Sequence, residues 1–241
     1  MSKILTIIPT TARRLELINT IITNLINDNL EHTIDIVITK NGTFDNNIYE
    51  EFKFNVPVTK EYSYPAANIA AAHNKGLEYL TDHDYVLILE DDFLVKESKW
   101  ITKLIDILSN KTDIAVLGSR LHGNQKRYHK QPLLEYLSEN LFEVYWTDGI
   151  VFSPSFIYKD IKYDESFLGA TEIPDFCLQV IDKGYKNFYV KLTHEHYSIP
   201  ESNKYIYSPV PIDFTIPRKL LITKWEKSQN IKIQNYIELD K

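Results

Sequence analysis

Tyr85-Val86-Leu87-Ile88-Leu89-Glu90-Asp91-Asp92-Phe93 is the stretch that decides the fold of this chain. Its first five residues are apolar, too few for a helix and rich in β-branched and aromatic types. They read as a strand that is dry on both faces, as in a parallel sheet covered by helices. Three carboxylates follow at once. Crowded carboxylates repel one another and raise each other's pKa, so such a cluster needs a physical reason. A hard divalent cation supplies one, because Mg²⁺ and Mn²⁺ take oxygen ligands and bind through one or two carboxylates plus phosphates. Ligands of open α/β sheets also sit just beyond the carboxyl ends of the strands. Glu90, Asp91 and Asp92 therefore point to a metal–diphosphate site. The plainer alternative is a solvated turn capping the following helix.

Outward from this strand the chain alternates. Lys3–Ile8 is a second buried-strand pattern, closed by Pro9, which cannot donate to a ladder. Leu15, Ile18, Ile21, Ile22, Leu25 and Ile26 recur with a helical period, and Thr33–Thr39 is the next strand, ended by the Asn41-Gly42 turn signal. Strand, helix, strand in this order predicts a parallel pair with a right-handed crossover. Residues 44–64 read as loop with a short strand near Val56–Val58. Alanine-rich 66–80 reads as helix, Trp100–Leu108 as an amphipathic helix, and Ile114–Leu117 as a strand. From about Gly118 the pattern weakens. Tyr145–Phe152 is a strand returning to the site with a bend at Asp148-Gly149. A helix starts at Pro174 and stops at Gly184, Asn187–Lys191 is an edge-type strand, and a last helix runs from Thr215 and Pro217.

Composition narrows the class. At 241 residues with 44% hydrophobic and 25% charged side chains, the chain can build a real core. A net charge of -6 argues against nucleic acid as a partner, so a phosphate must be met locally by a metal or by backbone amides. One cysteine, Cys177, excludes an internal disulfide framework and fits a reducing cytosol. With no signal peptide after Met1 and no apolar run of the ~20 residues a membrane span needs, a cytoplasmic protein is expected.

The order of these features resembles the GT-A nucleotide-sugar glycosyltransferases, most closely the inverting family 2 type. The resemblance rests on Ile7-Ile-Pro-Thr10, Asn41-Gly-Thr43, Ala72-His-Asn-Lys-Gly76, Glu90-Asp-Asp92 in place of a DxD motif, Glu172-Ile-Pro-Asp-Phe-Cys-Leu178 in place of E-D-x-D-x-C-L, and the pair His194 and His196. It implies an α/β fold, a GT-A-type, Rossmann-like three-layer α/β/α sandwich with a mostly parallel central sheet. It spans roughly residues 3–200, and with no linker visible the chain is expected to be one domain over residues 1–241: a nucleotide-sugar half (1–117), an acceptor half (118–200) and a C-terminal extension (201–241).

The resemblance also assigns roles. Pro9, Thr10, Arg13, Lys40, Asn41, His73, Glu90 and Asp91 would line the donor, a UDP-, GDP- or dTDP-linked sugar, with Glu90 on the sugar or ribose. Lys40 stands where the family often has an acidic residue, and His73 where it has arginine. Asp92 would hold Mn²⁺ or Mg²⁺, joined by His194 or His196, which a strand's period of two puts on one face. An inverting transfer needs one general base. The family's aspartate there is Ile173, which leaves Glu172 or Asp175, unless these two acids only favour the helix amino terminus. Trp146 and Asp148, with Tyr145 and Phe152, would shape a site for a glycan or other hydroxyl acceptor. Asn74 is expected to be structural. An inactive nucleotide-sugar binding module is the rival reading. A sugar-phosphate nucleotidyltransferase ranks lower, because the first turn lacks a glycine-rich phosphate loop. Self-association through the last helix is left open.

Overall fold

The computed structural model of the chain describes residues 1–10, 15–41, 53–64, 68–119, 133–138, 140–167, 171–197 and 215–228. Its elements are β1 (Lys3–Thr10), α1 (Leu15–Asn27), β2 (Thr33–Asn41), β3 (Lys60–Tyr64), α2 (Ile69–Leu77), β4 (Tyr85–Leu89), β5 (Phe93–Val95), α3 (Trp100–Asn110), β6 (Ile114–Gly118), β7 (Leu133–Ser138), β8 (Leu141–Val144), β9 (Ile150–Pro154), α4 (Ile157–Asp160), α5 (Glu172–Asp182), β10 (Lys186–Val190), β11 (His194–His196) and α6 (Thr215–Trp225). The main sheet has the order β3-β2-β1-β4-β9-β6-β10-β8-β7. Its strands run one way except β9 and β8, which are antiparallel to their neighbours. The mostly parallel sheet expected from the sequence is there, and the first crossover joins β1 and β2 as a parallel pair.

Alternation along the strands builds the three layers. Side chains two apart share a face, so Ile4, Ile8, Ile36, Ile38, Leu87 and Leu89 pack with α1 and α3. Leu5, Ile7, Val37, Val86 and Ile88 face the other way, onto α2, α4, α5 and the buried Leu221 and Trp225 of α6. Each fully buried aliphatic contributes about 1.5–3 kcal/mol, which is why an unbroken apolar run was needed in the central strands. Asn68 caps α2, its side chain accepting from the Ala71 amide at 3.1 Å.

Several expectations are corrected. β1 passes through Pro9 to Thr10. Its ladder with β4 stops at Ile7, while pairing with β2 runs on to Thr10, so the proline sits beside the end of one ladder. The short strand is β3, not Val56–Val58, which instead pack on the core beside Phe54. β3 is a polar edge strand, so no apolar alternation marks it. β10 is interior, between β6 and β8. Strands β7 and β8 arise from the weakly patterned region after Gly118, where they pair antiparallel with each other and β8 joins the sheet through the distant β10, and β9 starts only at Ile150. No helix among the described residues is long and apolar enough to cross a membrane.

Candidate functional site

The carboxyl end of β4 is where the chemistry-bearing residues converge. A tight turn follows the strand, its Phe93 amide donating to the Glu90 carbonyl at 3.2 Å. β5 then pairs antiparallel with β11, placing His196 opposite Phe93. The Tyr197 amide donates to the Asp92 carbonyl at 2.9 Å, which pins the ribbon next to the acidic turn. As a result Glu90, Asp92 and His196 each offer one ligand atom, all within 4.8 Å of one another, and all three residues are half-buried. His196 Nε2 lies 3.4 Å from Asp92 Oδ2. Two carboxylates and an imidazole suit Mn²⁺ or a similar ion. His194 lies outside this trio: its Nδ1 donates to the Leu192 carbonyl at 2.9 Å and its ring stacks on Phe93 at 4.3 Å. Glu90, expected on the sugar or ribose, is in the cluster.

Several of the residues expected on the donor side sit at the ends of β1 and β2. Thr10 Oγ1 donates to Asp91 Oδ2 at 2.7 Å, so the buried threonine holds the middle carboxylate of the turn. Lys40 pairs with β1 at Thr10, and its ammonium lies 3.4 Å from Glu61 Oε2 on β3. Asn41 ends β2 beside Tyr64, and Arg13 lies outside the described residues. From the other side comes the Asp148-Gly149 bend, as expected. Gly149 has φ 77°, and its carbonyl accepts from the Glu90 amide at 3.2 Å. Trp146 and Asp148 are both buried. Gly118 admits this segment: a Cβ there would stand 2.0 Å from Thr147 Oγ1.

His73 is 1% exposed on α2, its ring 4.4 Å from that of Tyr163. Burial drives its pKa down to about 3, so the imidazole is neutral near pH 7. The unfolded chain takes up this proton near pH 6.5. Between about pH 6.5 and 3 the unfolded state therefore binds more protons, and stability falls as the pH falls. The expected loss is on the order of 2 kcal/mol by pH 5. Urea midpoints at pH 7 and pH 5 check this, and His73→Phe should flatten the difference. Asn74, next to it, is structural as expected. Its side chain donates to the Tyr163 carbonyl at 2.8 Å and accepts from the Tyr163 amide at 3.1 Å.

α5 carries the two candidate acids in its first turn. Thr171, the residue before it, has φ 68°. A β-branched residue in the left-handed region costs about 1–3 kcal/mol, a strain placed directly before Glu172. Glu172 is 6% exposed. Asp175 is fully buried and saturated: Gln179 Nε2 donates at 2.8 Å, Trp225 Nε1 at 2.8 Å, and Lys224 Nζ lies 2.9 Å away. The two acids are thus unlike in their surroundings, a distinction their spacing in sequence does not reveal. Sequence reading placed Trp225 among the apolar positions of the last helix but gave neither it nor Lys224 a part at Asp175, since nothing local marks that contact. Cys177 is inert here. Burial pushes its thiol up to about 12, against a hydrogen bond from the Thr147 backbone, with Asp148 and Asp175 adding to the rise.

Comparison with known proteins agrees with this fold. The chain resembles Staphylococcus aureus TarS at 14% identity and TM-score 0.61, over 96% of this chain but only 41% of that one. A TarS fragment of residues 1–349 with UDP-GlcNAc gives TM-score 0.64 at 14% identity, over 99% of this chain and 70% of the fragment. A Drosophila β-1,4-galactosyltransferase 7 mutant, in complex with manganese, UDP-Gal and xylobiose, gives TM-score 0.57 at 16% identity, over 90% and 80% of the two chains. No curated protein sequence matches significantly. The family model described as glycosyl transferase family 2 matches residues 6–177, from β1 through the acidic turn to Cys177 on α5. This chain belongs to glycosyl transferase family 2.

Proposed function

We propose that the chain transfers a sugar from a nucleoside-diphosphate donor, UDP-, GDP- or dTDP-linked, to a hydroxyl of a glycan or similar acceptor, with inversion and with a divalent cation. The observation that carries this reading is the trio Glu90, Asp92 and His196, with ligand atoms within 4.8 Å, at the carboxyl end of β4. Three protein ligands leave coordination positions for phosphate oxygens and water, as Mn²⁺ and Mg²⁺ sites on nucleotides require. When bound, the cation supplies Lewis-acid stabilisation of the charge on the departing diphosphate. Asp91, held by Thr10, keeps the turn rigid so that its neighbours present their oxygens together. Pro9, Thr10, Lys40 and Asn41 belong to the donor side, and the buried Trp146 and Asp148 to the acceptor side.

Glu172 takes the acceptor's proton in this reading. Asp175 already accepts from three donors, so its carboxylate is an anchor. One observation favours a second reading: Ile173, in the place of the family's aspartate, is apolar and buried, which suits a module that binds a nucleotide sugar without turning it over. Melting shifts and nucleotide release with UDP-, GDP- and dTDP-sugars separate the two. The transferase reading expects a shift that needs both manganese and one nucleotide, together with release that depends on acceptor. A shift without release supports the binding module, and no shift with any donor sinks both.

A further inference from the structure

We propose that Lys224 and Trp225, on the last helix, are positioning residues for Glu172; the inference rests on the reading of Glu172 as the base. One ammonium holds both flanks of the segment that leads into α5. Lys224 Nζ lies 2.7 Å from Asp164 Oδ2 on the near side and 2.9 Å from the Asp175 carboxylate on the far side. Trp225 Nε1 adds a donor to Asp175 at 2.8 Å, and Lys224 sits over the ring of Phe167 at 5.4 Å. The Asp175 end of the bridge is sheltered, with Asp175 0% and Trp225 7% exposed, while the Asp164 end faces solvent.

The near flank is itself tied down. Asn68 donates to the Glu165 carbonyl at 2.8 Å, and Asn74 bonds the Tyr163 backbone on both sides. α2 therefore holds one end, and α6 bridges that end to α5. Between the two carboxylates stand the left-handed Thr171 and Glu172 itself. A backbone in a sparsely populated conformation persists only where its surroundings over-determine it. The bridge is such a constraint, and a base must be held closely to act on a hydroxyl. Charge favours it as well. Burial works against the Lys224 ammonium, yet hydrogen bonds to Asp164 and Asp175 more than compensate and raise its pKa.

Full-length Lys224→Met, Lys224→Arg and Trp225→Phe separate positioning from bulk stability. Two readouts apply: backbone amide exchange over residues 171–178, and kcat against donor KM. In Lys224→Met, exchange of these amides should quicken about tenfold, and kcat should fall about tenfold or more with donor KM unchanged. Lys224→Arg should recover most of kcat, and Trp225→Phe should fall between. If Lys224→Met does not fold, Trp225→Phe carries the test, since it removes one donor and keeps the ring. Exchange unchanged over 171–178, or faster exchange with wild-type kcat, overturns the proposal. If the wild-type chain transfers no sugar from any donor, the transferase reading falls, and the exchange measurement alone decides whether the bridge orders α5.

Discussion

Asp92→Ala is expected to reduce sugar transfer by at least 10²–10³-fold and to abolish manganese-dependent nucleotide binding, with little change in melting temperature. The reason is local. Asp92 lies on a turn at the end of β4, outside the apolar layers, and its backbone carbonyl accepts from the Tyr197 amide. Alanine keeps that bond. It removes one of three grouped candidate ligands and leaves His196 without the carboxylate 3.4 Å away. Several kcal/mol of charge stabilisation go with the ligand. Manganese titration by calorimetry, with circular dichroism as the fold control, checks both halves. A variant that still binds the ion and still transfers sugar would show that the acidic turn serves only as a helix lead-in.

The two acids of α5 should separate in kind. Glu172→Gln is expected to lower kcat by about 10²–10⁴-fold, the range for losing a general base, and to remove the acid limb of the pH–rate profile. Its stability should stay near wild type. Asp175→Asn should behave in the opposite way. Breaking a buried charge pair costs about 3–5 kcal/mol, and Asp175 is bonded to Lys224, Trp225 and Gln179 with no exposure to water. Urea unfolding and steady-state kinetics on the same two variants make the comparison. A reversal, with Asp175→Asn stable but inactive and Glu172→Gln active, would move the base by one helical turn.

The family and the layer order were legible in sequence because they rest on local patterns. β1, β2, β4 and β6 announce themselves as apolar runs, α1 and α3 as helical periods, and the Gly184 cap adopts the expected left-handed turn at φ 89°. The acidic turn was legible for the same reason, three carboxylates directly after a dry strand. Other elements were not. β3 and β5 are short, β7 and β8 follow a segment without period, and each is stabilised by its partner strand and not by its own composition.

The sequence by itself determined that an alternating α/β chain would end its central strand in a cluster of negative charge, since burial and periodicity act between neighbouring residues. Only the tertiary structure decided which groups meet there. Pairing of β5 with β11 brought His196, and not His194, to the carboxylates Glu90 and Asp92. Docking of α6 turned Asp175 into an anchor and left Glu172 as the candidate base. Both choices depend on contacts between segments far apart along the chain, and a contact of that kind leaves no mark on either segment alone.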